Sequence, residues 1–181
     1  MDFDGTIVNT IECIVDLYNE DFSYYSDFKH VDWCDVNSWG FTECACADPG
    51  YIDKYFNQPR FFRRIDFMSN ADVIIPLLAK KYNIYVVSHG YSPNLRLKKV
   101  WTELHMPYVK EFIGVNLKEH EDKSCVDMSG GTFIDDSAKN LLTSSAATKI
   151  CFGDEYPWNK EWNGMNCVNW YDVGRYFGVI Q

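Results

Sequence analysis

The stretch "DFDGT", residues 2–6, sets two aspartates two positions apart and follows them with Gly5 and Thr6. Side chains alternate between faces along a strand, so Asp2 and Asp4 would share one side while Phe3 points to the core. Two carboxylates at a strand end can divide nucleophilic attack from proton transfer; the bland alternative is a pair of solvated loop acids. Gly5 permits a sharp turn past whatever they touch. Two more apolar runs end in polar groups: "VVSHG" (86–90) in Ser88 and His89, and "FIDD" (133–136) in Asp135 and Asp136. The last pair could equally cap the helix that follows. Three carboxylates converging on one edge cannot all stay ionised in a dry pocket without a counter-charge. Mg²⁺, a hard cation held by carboxylates together with phosphate, is the natural partner.

These groups must be brought together by the elements that carry them. Residues 9–22 have apolar groups at Ile11, Ile14, Val15, Tyr18 and Phe22, a helical spacing with Asn9 or Thr10 as cap. Residues 70–82 read as an amphipathic helix, 83–90 as a strand, and 93–105 as a helix opening at Pro93. Strands follow at 111–117, 130–136 and 148–153, with helices at 137–147 and 169–180. Alternating strands and helices imply an α/β, Rossmann-like parallel sheet with helices on both faces. In such sheets the site lies beyond the carboxyl ends of the strands, where the polar groups above fall. Residues 23–69 differ: they are rich in Trp, Tyr, Phe, Asp and Cys, with irregular spacing. They are expected to form a small helical cap inserted after the first strand and helix, leaving 1–22 and 70–181 as the core. Four residues are few for a buried strand, so native residues upstream of Met1 are expected.

The bulk composition narrows the partners. A chain of 181 residues is one domain, and 46% hydrophobic with 17% aromatic content suits a packed core. A net charge of −9 repels a nucleic-acid polymer but not a small phosphorylated substrate, because a bound cation or a local lysine reverses the field inside a pocket. The seven cysteines include only one close pair, Cys44 and Cys46, spaced C-x-C. They read as reduced thiols in a cytoplasmic protein, without the paired spacing of a zinc site. No apolar run has the length of a membrane span, no signal segment opens the chain, and there is no internal repeat.

Taken in order, "DFDGT", the strand-ending Ser88 of "VVSHG", a lysine upstream of the last motif and "FIDD" resemble the motif set of the haloacid dehalogenase-like phosphatase superfamily. The resemblance covers nearly the whole chain. It implies a two-step phosphoryl transfer in which Asp2 is the nucleophile and Asp4 the acid and then the base. It also implies that Ser88 holds a phosphate oxygen, with Mg²⁺ on Asp2, the Asp4 carbonyl and the pair Asp135 and Asp136. Lys98 and Lys99, inside the 93–105 helix, are expected to face solvent. Lys123, in "HEDKS", matches a short D-K-[ST] segment of the 5′(3′)-deoxyribonucleotidase branch and is the expected catalytic lysine. In that branch aromatics of the cap enclose the base of a nucleoside monophosphate, and "YFNQPRFF" (55–62) looks like its cap end. Phe61 and Phe62, with Trp33 or Trp39, are therefore expected at the substrate, along with Thr6 and His89. "SHG" departs from the branch's T-S-P, placing His89 where a small hydroxyl residue is usual. A phosphatase or mutase for another small metabolite, or an inactive binding protein, would share the same core.

Overall fold

A computed structural model describes the backbone of residues 1–181 and every side chain except that of Pro49. Five strands and seven α-helices alternate along it: α1 (Thr10–Phe22), α2 (Pro49–Tyr55), α3 (Pro59–Arg64), α4 (Ala71–Ala79), β1 (Tyr85–Gly90), α5 (Ser92–His105), β2 (Glu111–Asn116), β3 (Thr132–Asp135), α6 (Ala138–Thr143), β4 (Thr148–Phe152), β5 (Met165–Cys167) and α7 (Trp170–Tyr176). β1 pairs in parallel with β2, and β3, β4 and β5 pair in parallel with one another. The N-terminal segment, residues 1–4, joins the two groups. The Met1 amine donates to the Tyr85 carbonyl at 2.8 Å, Val87 N–H donates to Met1 O at 2.9 Å, and Asp2 N–H donates to Ile134 O at 2.8 Å. The sheet order is thus β2, β1, residues 1–4, β3, β4, β5. This is the expected α/β architecture, with the first segment at its centre.

Strand alternation separates two apolar clusters. Phe3, Val86, Ile134 and Ile150 join the larger one with α1, α4, Trp101 of α5 and Trp170 of α7. Their neighbours Val87, Phe133 and Cys151 join the smaller one, which Leu141 of α6 covers. Helices therefore lie on both faces of the sheet. α4 shows why its sequence is helical here: Ile74, Ile75 and Leu78 fall on one stripe and are all buried. Full burial of each such side chain contributes ~1.5–3 kcal/mol. Residues 23–69 hold α2, α3 and a short 3₁₀ turn at Trp33–Asp35. Val31, Phe41, Ile52, Tyr55 and Phe61 of this insertion continue the larger core without a break.

Several boundaries differ from the sequence reading. α6 stops at Thr143 because Ser144 is extended, and Ala146 N–H turns to the Ser144 hydroxyl. α7 stops at Tyr176, shortly before Gly178 at φ 60. β5 was not foreseen: three residues, only one of them buried, carry too little alternation to read as a strand.

Candidate active site

The N-terminal segment delivers Asp2 and Asp4 to the carboxyl edge of the sheet, where they line a cleft of about 370 Å³. From the core side Lys98, Lys123 and Asp136 join them. From the insertion come Trp39, Asp53, Phe56 and Asn57. Gly5, at φ +66, turns the chain immediately after Asp4; a Cβ there would lie 2.8 Å from Asp136 Oδ2. Only glycine combines that left-handed turn with so close an approach to the acid.

Asp2 is buried. Its Oδ1 accepts the Phe3 N–H at 2.6 Å and faces the Lys123 ammonium at 2.5 Å. Lys123 donates also to Asp135 Oδ2 at 2.7 Å. Asp135 is fully spoken for: its other oxygen accepts Ser137 N–H at 2.8 Å, and the Asn140 amide lies 3.2 Å from both. Asp136 receives a single donor, Nε1–H of Trp158, at 2.8 Å on Oδ2. Among the described residues, Oδ2 of Asp2 and Oδ1 of Asp136 take no protein donor. Burial pushes the Asp2 carboxyl up to about 7, with Lys123 opposing the shift and Asp135 and Asp4 adding to it. Burial, then Asp135 and Asp2, raise Asp136 well above the ordinary range. Lys123 is the converse case. Burial disfavours its charge, yet Asp135 and Asp2 hold its ammonium above the usual lysine value.

Asp4 belongs to a second, adjoining network. Thr10 Oγ1 donates to its Oδ1 at 2.9 Å, and Lys98 pairs with its Oδ2. Ser88, fully buried, accepts from Lys98 at 3.0 Å and donates to Asp4 Oδ2 at 3.5 Å. The expectation that Lys98 faces solvent is corrected: it is 2% exposed and lies behind Asp4, while Lys99 is exposed beside Glu103 at 3.8 Å. The missed signal was present. In α5 Leu95, Lys98, Trp101 and Thr102 are all buried at helical spacing, so Lys98 occupies a core-facing position. A lysine there needs a carboxylate within reach, and Asp4 is that partner.

The remaining expected residues divide. His89 lines the cleft; its Nε2–H donates to the His120 carbonyl at 2.9 Å, and burial lowers its pKa, as do Lys123 and Lys98. Ser88 stands behind the cleft with its hydroxyl engaged by Asp4 and Lys98. Thr6 is buried, with its hydroxyl unpartnered and its carbonyl accepting Trp170 Nε1–H at 2.9 Å. Phe61 is 0% exposed and packs on Phe56 and Phe62 within the core, which corrects its expected contact with substrate. Phe62 is partly buried against that core and does not line the cleft. Phe56 and Trp39 present the insertion's aromatic surface instead. Trp33 lines a separate pocket of about 230 Å³ beyond Asp136.

The chemistry of this donor set fits a divalent cation. Asp2, Asp135 and Asp136 each offer an oxygen within 4.8 Å of the others, all buried. The donors are hard oxygens, and burial with mutual repulsion raises the pKa of two of the three carboxyls, a penalty that a divalent cation would relieve.

Comparison with known proteins gives a family and a fold. Residues 1–179 match the family model described as 5′ nucleotidase, deoxy (pyrimidine), cytosolic type C protein. No curated protein matches the chain. Among solved structures, a haloacid dehalogenase-like family hydrolase from Streptococcus pneumoniae is similar at a TM-score of 0.67 and 12% identity, covering 97% of this chain and 95% of its own. A haloacid dehalogenase hydrolase from Bacillus subtilis, solved bound to magnesium, gives 0.59 and 13%, with coverages of 97% and 95%. One from Ehrlichia chaffeensis gives 0.58 and 13%, with 98% and 93%. At these identities the structural likeness establishes the fold, that of haloacid dehalogenase-like hydrolases, and the match over residues 1–179 establishes the family: the chain belongs to the 5′ nucleotidase, deoxy (pyrimidine), cytosolic type C family.

Proposed function

We propose that the protein is a Mg²⁺-dependent hydrolase of nucleoside 5′-monophosphates, with deoxyribonucleotides as its preferred class, working through an aspartyl-phosphate. The observation that carries this reading is the convergence of Asp2, Asp4, Lys123 and Asp136 on one cleft whose far wall is Trp39 and Phe56. Asp2 attacks phosphorus through Oδ2, the oxygen without a protein donor, and the leaving alkoxide takes a proton from Asp4. Water, deprotonated by Asp4, then attacks the aspartyl-phosphate; the phosphoryl group leaves as phosphate and Asp2 is regenerated. Lys123 keeps Asp2 oriented and offsets the negative charge that grows as phosphate approaches. Lys98 holds Asp4 and Ser88 in place and adds a second positive charge beside the phosphate position. Asp2, the Asp4 carbonyl and Asp136 would hold Mg²⁺, while Asp135, saturated by Lys123, Ser137 and Asn140, serves as the anchor of Lys123. The bound cation supplies neutralisation of the phosphate oxygens and the in-line orientation of the ester.

Residues 23–69 act as the cap of this site. Phe56 and Trp39 offer flat surfaces for a base, and stacking on such a surface contributes ~1–3 kcal/mol per base. A reduced cytoplasmic setting suits the chain, whose seven cysteines stand free. The test is a panel of deoxyribonucleoside monophosphates, ribonucleoside monophosphates and sugar phosphates, assayed for phosphate release with and without Mg²⁺. Nucleotides are expected to be hydrolysed fastest and only with the metal. Turnover confined to sugar phosphates rejects the nucleotide reading, and undiminished turnover in excess chelator rejects the metal.

A further inference from the structure

Trp158 lies in the loop between β4 and β5, outside every motif that the sequence singled out. Three of its contacts converge on one point. Among the described residues, its Nε1–H is the one protein donor to the Asp136 carboxylate. Its ring lies flat on Tyr156, with centroids 4.7 Å apart and planes 2° from parallel. Its ring also packs on Trp39 of the cap, with centroids 5.8 Å apart and planes tilted by 55°. The backbone adds a fourth tie, because the Trp158 carbonyl accepts the Ala138 N–H at 3.2 Å, in the first turn of the helix that follows Asp136. Trp39 lines the substrate cleft, Trp158 lines the 230 Å³ pocket, and Asp136 lines both. The indole is thus part of the partition between the two spaces.

We propose that Trp158 is a positioning residue: it fixes the carboxylate of Asp136 for the metal and transmits the position of the cap to that carboxylate through Trp39. The inference rests on the reading of Asp136 as a metal-holding acid. With Oδ2 committed to the indole, Oδ1 is the oxygen left to face the cation, so one hydrogen bond selects which oxygen is offered. Tyr156 limits rotation of the indole about its own stack. Trp39 belongs to residues 23–69, so a displacement of that segment would reach the indole through this ring contact. By linkage, a cap position that seats the indole strengthens metal binding, and a bound metal favours that same cap position.

The experiment is calorimetric titration of the full chain with MgCl₂ alone, without nucleotide. Trp158→Phe keeps a ring on Tyr156 but has no N–H, and it is expected to bind Mg²⁺ about tenfold or more weakly, as loss of an outer hydrogen bond to a metal ligand commonly does. Trp39→Ala touches no acid, yet it is expected to weaken Mg²⁺ binding about fivefold in the native background and to have no further effect in the Trp158→Phe background. The tryptophan emission that disappears in Trp158→Phe should change on adding Mg²⁺ to the native chain. Equal affinities for the native chain and Trp158→Phe overturn the positioning role, and independent, multiplying effects of the two substitutions overturn the coupling. A native chain that takes up no Mg²⁺ overturns the metal reading of the site and this inference with it. Should Trp158→Phe fail to fold, Tyr156→Leu removes the stack and keeps the N–H; unchanged Mg²⁺ affinity in that variant overturns the proposal as well.

Discussion

Asp2 and Asp4 stand two residues apart and are held by different lysines, and that division decides what each substitution does. Asp2→Asn is expected to abolish phosphate release while leaving the fold intact, because the amide still fits between Phe3 N–H and the cleft; turnover at the native rate would exclude Asp2 as the nucleophile. Lys98→Met should cost stability as well as activity. Removing one partner of a buried pair strands the other charge, at ~3–5 kcal/mol, and Asp4 is open enough to the cleft that the lower end applies. Adding Asp4→Asn to Lys98→Met should recover part of the lost melting temperature but no turnover. A Lys98→Met variant that melts with the native chain would show that the pair contributes nothing. At this scale short motifs name Asp2, Asp4, Lys123 and Asp136, and the structure places all of them along one cleft. Lys98 was misread because its neighbour Lys99 and its charge suggested a solvated face, although Leu95 and Thr102 marked the same stripe as buried. Trp158 carried no local signal, since an aromatic in a loop has no periodicity to place it. Phe61 and Phe62 are attributed to the site by likeness, whereas their place within α3 turns Phe61 into the core and leaves Phe62 partly buried against it.

The elements position the site through turns more than through long regular stretches. Gly5 reverses the chain with a left-handed turn against Asp136, and Gly5→Ala meets two costs. The left-handed turn costs ~1–2 kcal/mol for a residue with a Cβ, and that Cβ would press on Asp136 Oδ2. Activity should fall more than stability, because the displaced group is the acid itself. Circular dichroism melts beside phosphate-release rates would check this, and a variant that loses stability but retains full kcat would deny the contact. The parallel sheet and the helices on both faces are legible from alternation between period 2 and period 3.6. The central segment was legible only as a question, since four residues cannot display a period. What identifies it as part of the sheet is hydrogen bonding on both sides, which no local pattern reports.

For the molecule as a whole, the buried acids set how stability responds to pH and metal. Asp2 keeps its proton up to about 7 in the folded chain, whereas an unfolded Asp releases it near 3.8. Between those values the folded state binds more protons, so the metal-free protein should lose stability as pH rises from about 4 to 7. On the proposed reading Mg²⁺ would bind only the folded, ionised site, so it should raise the melting temperature most at the upper end of that window. Thermal melts at several pH values, with chelator or with Mg²⁺, would check both trends. A metal-free melting temperature that rises steadily from pH 4 to 7, or the same slope in Asp2→Asn, would contradict the assignment to Asp2. The central place of residues 1–4 has one more consequence, for the order of folding. Asp2 N–H donates to Ile134 of a strand that begins at residue 132, so residues 1–4 can be seated only once that distant strand has formed. Pairings this distant carry a high contact order and close late. A chain that has not yet formed β3 therefore holds Asp2 outside the cleft, and the proposed nucleophile is seated only when the sheet becomes continuous.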